Sequence, residues 1–193
     1  MTKARAEAFS DGVFAVAATL LVFSIAIPRS GIPLGEALLE EWQSYAAYVI
    51  SFVTILVIWV NHHATLDAMR TFDRTLLFLN GLLLMTVAVI PFTTGVLARA
   101  LQSGHDQPAA AVAYGVVATA MSLAFTFINT YAKVRGLFTT PFSFVGFSLG
   151  QLTYPVATVI AHFSYQTALV IYAATAVFYA AFPLIREAQL RRR

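Results

Sequence analysis

Residues 5–27 of the chain read RAEAFSDGVFAVAATLLVFSIAI and contain the first predicted hydrophobic helix. From residue 9 to residue 27 it is nearly all apolar, which matches the ~20 residues with which an α-helix crosses ~30 Å of hydrocarbon. Asp11 lies just inside this predicted span, where an unpaired carboxylate costs roughly 3 kcal/mol. We therefore expect Arg5, or polar groups on a neighbouring helix, to hold Asp11 as a fixed point.

The composition of the whole chain is that of an integral membrane protein. Of the 193 residues, 59% are hydrophobic and 11% are charged, whereas a soluble domain has about 25% charged residues. Cysteine is absent, which excludes disulfides and thiolate chemistry, and the net charge of +3 is too small to indicate nucleic-acid binding. Residues 1–193 are expected to form one transmembrane domain surrounded by membrane lipid.

Apolar runs predict an all-α fold with six transmembrane helices. The predicted spans are residues 9–27, 45–62, 76–97, 109–131, 142–162 and 166–185. With both termini in the cytoplasm, ten of the twelve Lys and Arg residues lie inside, and only Arg29 and Arg99 lie outside. Because short cytoplasmic loops carry an excess of basic residues, this asymmetry predicts six spans with both termini in the cytoplasm.

One face of the first span carries a regular set of small and apolar residues with a single threonine. At about 100° per residue, the residues that share this face are Gly12, Val16, Thr19, Leu20 and Phe23. Such a face either packs against another helix or, when several copies meet around an axis, lines a pore. In a pore, apolar rings gate by dewetting and the Thr19 hydroxyls form the one polar ring able to replace ion hydration.

A group of polar residues falls near the predicted cytoplasmic ends of the first three spans. We expect its members to form one network that fixes the first helix: Arg5, Ser10, Asp11, Trp59, His62, Asp73 and Asn80. His62 and His63 do not indicate a metal site, because adjacent helical side chains point about 100° apart and no acidic cluster joins them. Neither a metal ligand set nor a cofactor is predicted.

Catalytic motifs were not found in the sequence, so an enzyme is not expected. There is no nucleophile–histidine arrangement, no His-Glu-x-x-His motif and no glycine-rich phosphate loop. Two alternatives to a pore stay open at this point. One is a proton-coupled or proton-permeable transporter in which Asp11 or His62 titrates within the membrane. The other is a membrane scaffold that transports nothing.

The polar positions carry a resemblance to a known family. The pattern Arg5-x-x-x-Phe9-Ser10-Asp11 on a first transmembrane helix resembles the signature of the lysosomal potassium channel family, transmembrane protein 175. The resemblance extends, in order along the chain, to Trp59-x-x-His62, Phe72-Asp73, Asn80 and Pro91-Phe92. It covers the first three spans closely and the last three in layout only.

The resemblance implies a channel permeable to potassium and other monovalent cations that lacks the Thr-Val-Gly-Tyr-Gly filter. Bacterial members of the family are homotetramers in which the first helix lines the pore. Carried over by position, Val16 falls at the hydrophobic constriction, Thr19 at the threonine layer near which potassium passes, and Leu20 and Phe23 at further pore-lining positions. The signature residues Arg5, Phe9, Ser10 and Asp11 would tie the first helix to the second and third.

Overall fold

Apart from an isolated bridge between Met69 and Phe138, the regular elements among the described residues are helices, and in this computed structural model those residues are 3–28, 31–139 and 148–190. In chain order the elements are α1 (Lys3–Leu20), a 3-10 turn (Leu21–Ser24), α2 (Leu34–Glu40), α3 (Trp42–Asp67), α4 (Arg74–Ser103), α5 (Gln107–Val134), α6 (Ser148–Phe163) and α7 (Tyr165–Leu190). The prediction of an all-α fold is confirmed.

Among the described residues, four helical segments are long and apolar enough to cross a membrane. They are Lys3–Ser24, Trp42–Asp67, Arg74–Ser103 and Gln107–Val134, and each contains one of the first four predicted spans within a few residues. The fifth predicted span begins at residues 142–147, which lie outside the described residues, and overlaps α6. The sixth corresponds to α7, whose apolar part Tyr165–Ala181 is shorter. The chain is thus a multi-pass membrane protein, and the count of six spans stays a prediction.

The connection after the first span is more ordered than its turn-rich sequence indicates. Residues 34–40 form α2, which starts directly after Pro33 and buries Ala37. Proline is well suited to the start of a helix, because its missing N–H group would have no helical partner there.

The charged loop between α3 and α4 is hydrogen-bonded to the chain just after α5. The Arg70 N–H donates to the Leu137 carbonyl at 2.9 Å.

Helix α4 holds the bundle together, with α1, the 3-10 turn, α3 and α5 packed around it. One core lies among these elements and includes Phe14, Leu21, Ile55, Leu83 and Phe125. A second core joins α4 and α5 to α6 and α7, and much of it is alanine: Ala111, Ala118, Ala157, Ala161 and Ala168. Small residues let membrane helices approach closely, so that van der Waals contact replaces the hydrophobic driving force that lipid does not provide.

The closest approach of this kind is at Gly115 of α5. A Cβ atom there would collide with the hydroxyls of Tyr172 and Thr158. The Tyr172 hydroxyl is buried and donates to the Ala111 carbonyl at 3.4 Å, so it is not free to swing away. Helices α5, α6 and α7 therefore meet at a point that only glycine fits.

Gly115→Ala is expected to lower the free energy of unfolding by about 1–3 kcal/mol, the usual cost of overpacking a core. The measurement is thermal or denaturant unfolding of the purified protein. Gly81→Ala is the matched control, because a Cβ atom at Gly81 meets nothing within 4 Å and alanine favours helix. Equal stability of the two variants would contradict the described contact.

Candidate pore-lining helix and its polar anchor

Helix α1 has two faces with opposite environments. Its buried residues are Ala6, Ser10, Phe14 and Ala17. The face that contains Gly12, Val16, Thr19 and Leu20 is exposed, and Val16 is 56% accessible. Phe23, in the 3-10 turn that continues α1, is 81% accessible. The structure thus places all four residues predicted to line a pore, Val16, Thr19, Leu20 and Phe23, on the surface of the protomer.

The hydroxyl proton of Thr19 is already used in a hydrogen bond within α1. It lies 3.0 Å from the Ala15 carbonyl and 2.9 Å from the Val16 carbonyl of its own helix. A hydroxyl has one proton and two acceptor lone pairs. Because its proton is directed at the backbone, Thr19 presents an oxygen acceptor on the exposed face. An oxygen lone pair is the kind of group that a cation binds.

The buried face of α1 is anchored by a chain of three polar side chains. Asn80 of α4 donates from Nδ2 to the Ser10 hydroxyl at 2.9 Å, and its Oδ1 lies 2.7 Å from Nε2 of His62 in α3. Ser10 in turn donates to the Ala6 carbonyl at 2.8 Å. All three side chains are at least 97% buried.

The direction of these hydrogen bonds assigns the histidine tautomer. Because the Ser10 proton goes to Ala6, Ser10 accepts from Asn80, and the Asn80 oxygen must then face His62. His62 therefore carries a proton on Nε2 and donates it. One orientation of each group satisfies the whole chain, so the position of Ser10 on α1 is fixed relative to α3 and α4.

Asp11 has a different partner from Ser10. Its Oδ1 accepts a hydrogen bond of 2.9 Å from the indole Nε1 of Trp59. Of the two options for holding Asp11, the structure selects a polar group on a neighbouring helix. Arg5 is exposed and makes no hydrogen bond or ion pair with the side chains described in residues 3–28, 31–139 and 151–181. Phe9 is 62% accessible and likewise stands outside the anchor.

Asp73 caps α4 instead of joining the anchor. Its Oδ1 accepts from the Leu76 N–H at 2.9 Å, and its Oδ2 accepts from the Tyr131 hydroxyl at 2.8 Å. The Leu76 N–H bond lowers the pKa of Asp73, and the Tyr131 bond acts in the same direction. The expectation of one continuous network is thus corrected to three separate sets. The reason is that Asp73 directly precedes α4, whose first N–H groups need an acceptor.

Two contacts near this end of the bundle have no signal in the sequence. Lys3 donates to the carbonyls of Asp67 and Met69 at 3.4 and 3.3 Å, and so ties the start of α1 to the end of α3. Tyr131, which binds Asp73, is one of many tyrosines near span ends.

Within the described part of the chain, no group of three His, Cys, Asp or Glu residues is placed to hold a metal.

Three comparisons with known proteins, by family model, by sequence and by structure, give the same family. Residues 5–91 match the family model described as endosomal/lysosomal potassium channel TMEM175. A potassium channel of Streptomyces collinus is 40% identical over 185 residues, which cover 91% of this chain and 90% of that protein. The crystal structure of a lysosomal potassium-selective channel TMEM175 homolog from Chamaesiphon minutus has a TM-score of 0.82 at 34% identity, covering 92% of this chain and 96% of that one.

A vertebrate relative carries a different functional name. The endosomal/lysosomal proton channel TMEM175 of Gallus gallus is 33% identical over 117 residues, which cover 55% of this chain and 23% of the chicken protein. The family match at residues 5–91 contains α1, α3 and the anchor residues up to Asn80.

Asn80→Ala is expected to lower the free energy of unfolding by about 1–3 kcal/mol, because it leaves His62 and Ser10 buried without their shared partner. Unfolding of the purified protein by denaturant measures this loss. Asn61→Ala is the control, since within the described part of the chain the Asn61 amide donates to the Val57 carbonyl of its own helix, at 2.8 Å, and to no other group. Its cost should be smaller, because no buried side chain on another helix loses its partner. Equal costs for the two variants would show that the anchor does not stabilise the bundle.

Asp73→Ala should remove about 1 kcal/mol of stability near neutral pH by taking away the N-cap of α4. Because the pKa of Asp73 is lowered in the folded protein, its contribution is complete above the ordinary carboxyl pKa of about 3.9. It is lost as the pH falls through the lowered pKa. The stability difference between wild type and variant should therefore shrink as the pH falls below the ordinary carboxyl pKa, whereas a difference that stays constant down to the most acidic pH at which the protein remains folded would contradict the assignment.

Proposed function

Because this chain belongs to the TMEM175 family of ion channels, we propose that it is a potassium-permeable cation channel whose pore is lined by α1. Membership of a channel family also confirms that the chain is not an enzyme. The Streptomyces collinus and Chamaesiphon minutus relatives are named as potassium channels, and they support potassium as the permeant ion here.

The observation that carries the proposal is the exposed face of α1. Its opposite face is fixed in the protomer by the Ser10 anchor, so the surface with Val16 and Thr19 points away from the protomer's own core. A pore along this face needs several protomers around an axis. We propose a homotetramer, as the resemblance to bacterial family members implies, because closed cyclic symmetry brings one copy of α1 from every subunit to the same axis.

In this arrangement the side chains of α1 form successive rings along the axis. Val16, Leu20 and Phe23 supply apolar rings, which close a narrow pore by dewetting. Thr19 supplies a ring of oxygen acceptors between them, because its proton is held by the backbone. A permeating potassium ion passes this ring partly dehydrated. No Thr-Val-Gly-Tyr-Gly filter is needed for such a path.

The charge distribution supports the membrane orientation. Ten of the twelve basic residues fall on the same side when six spans are assumed. We accordingly propose six transmembrane helices per subunit in the bacterial inner membrane, with both termini cytoplasmic.

Proton permeation is the second candidate, and the chicken relative named as a proton channel is the observation that favours it. A route in which Asp11 and His62 shuttle protons has less support. His62 is hydrogen-bonded to Asn80, and Asp11 is hydrogen-bonded to Trp59, so both side chains have a structural role in joining the first three spans. Protons would instead share the α1 pore with potassium.

Val16→Asn should wet the proposed constriction and raise the single-channel conductance. A gain of about tenfold corresponds to about 1.4 kcal/mol taken off the dewetting barrier. Planar-bilayer recording of the purified protein measures it. Val116→Asn, at another exposed valine on α5, is the matched control and should leave the conductance unchanged. Currents of wild-type size in the Val16 variant would remove Val16 from the gate.

Thr19→Ala should reduce the preference for potassium over sodium. With potassium on one side and sodium on the other, the reversal potential is expected to move towards zero, because the ring of hydroxyl oxygens is gone. Thr86→Ala is the control, since within the residues that the structure describes the Thr86 hydroxyl bonds to the Leu83 carbonyl of its own helix α4 and to no other group. A reversal potential that is the same in wild type and both variants would show that Thr19 is not part of the filter.

A further inference from the structure

A cavity of about 210 Å³ lies between α1 and α3, beside the proposed pore-lining face. Its lining residues are Asp11, Phe14, Ala15, Ala18, Phe52, Ile55, Leu56 and Trp59. It is thus an apolar and aromatic space with one acidic group. Proposed pore residues Val16, Thr19, Leu20 and Phe23 do not line it.

No cation partner of the acidic group in this cavity is found among the side chains that the structure describes. Asp11 uses Oδ1 to accept from Trp59, and within residues 3–28, 31–139 and 151–181 no Lys, Arg or His forms an ion pair with it. Carboxylates inside a membrane span are normally paired with a cation, because an isolated charge there is costly. Asp11 therefore has capacity for a positively charged ligand.

The walls of the cavity suit a cation that carries hydrocarbon. The rings of Phe14, Phe52 and Trp59 face it, and indole is the aromatic group that attracts cations most strongly. Ile55 and Leu56 offer only apolar contact. A bare metal ion or potassium ion would find one carboxylate and no further oxygen ligands to replace its hydration shell. A neutral apolar molecule would remove water from Asp11 without compensating its charge.

We propose that this cavity binds a small protonated amine with a compact apolar body. The ammonium group forms an ion pair with Asp11 and lies against the Trp59 ring, while the hydrocarbon part packs among the phenylalanine and aliphatic side chains. Binding does not depend on the proposed channel activity. It does place a ligand against Ala15 and Ala18, whose neighbours Val16 and Thr19 face the proposed pore.

The chain contains two tryptophans, which allows a direct binding measurement. Trp42 is 62% accessible and lies outside the cavity, so Trp42→Phe leaves Trp59 as a single fluorophore in the site. Hexylammonium is titrated into this full-length protein in lipid nanodiscs, and the Trp59 emission is recorded. A saturable change is expected. Hexanol, which has the same body without the charge, is titrated in parallel and is expected to bind at least tenfold more weakly.

Two variants locate the site within the same Trp42→Phe background. Asp11→Asn keeps an oxygen for the Trp59 N–H and is expected to weaken hexylammonium binding at least tenfold, which corresponds to about 1.4 kcal/mol. Ala15→Leu fills the cavity with Asp11 intact and is expected to abolish binding, so the test survives if Asp11→Asn fails to fold. Glu7→Gln, one turn earlier and paired with Lys3, removes the same charge outside the cavity and should bind as the parent does.

The proposal is overturned by any of three results: no saturable change with hexylammonium, equal affinity for hexanol, or undiminished binding in Ala15→Leu. Equal weakening in Asp11→Asn and Glu7→Gln would also overturn it, because it would show a general charge effect on amine concentration at the membrane.

Discussion

The hydrogen-bond chain from His62 through Asn80 to Ser10 is the constraint on which the position of α1 depends. In hydrocarbon there is no water to take the place of a lost partner, so these groups stay bonded to one another. A shift of α1 by one residue would turn its side chains by about 100° and carry Ser10 away from Asn80. The same shift would turn Val16 and Thr19 off the exposed face. A buried anchor on one side of the helix thereby determines which residues the other side presents.

Helix α1 consequently has three zones with distinct chemistry. Its buried zone packs into the core through Phe14 and Ala17. Its exposed zone contains no charged side chain between Gly12 and Phe23. Between them, Asp11 is turned towards Trp59 and the cavity against α3. The bond to Trp59 keeps the carboxylate of the span away from the proposed ion path, where a full negative charge would hold a cation too tightly for rapid passage.

The sequence predicts the parts of this arrangement that depend on periodicity and misses those that depend on the ends of helices. Spacing alone separates Gly12, Val16, Thr19 and Leu20 from Ser10 and Ala17, because a helix places side chains three and four apart on one face. The sequence also places the partners of Ser10 and Asp11 among the polar residues near the predicted cytoplasmic ends of the first three spans. The sequence groups Asp73 with the anchor residues, although a residue that directly precedes a helix has the free N–H groups of that helix as nearer partners. No sequence pattern indicates the contacts of Lys3 or the presence of helix α2.

The same local geometry explains why an uncharged pore wall can prefer cations over anions. Helical backbone continues from α1 through the 3-10 turn to Ser24, so the proposed Thr19 ring lies near the carboxyl end of this helical segment. Aligned peptide dipoles give that end a partial negative charge of about half an elementary charge, carried by the last carbonyl groups. In the proposed tetramer these ends converge around the axis just beyond the level of Thr19. The partial charges of the backbone and the threonine oxygens then act together on a cation, and each is weak enough for the ion to leave again.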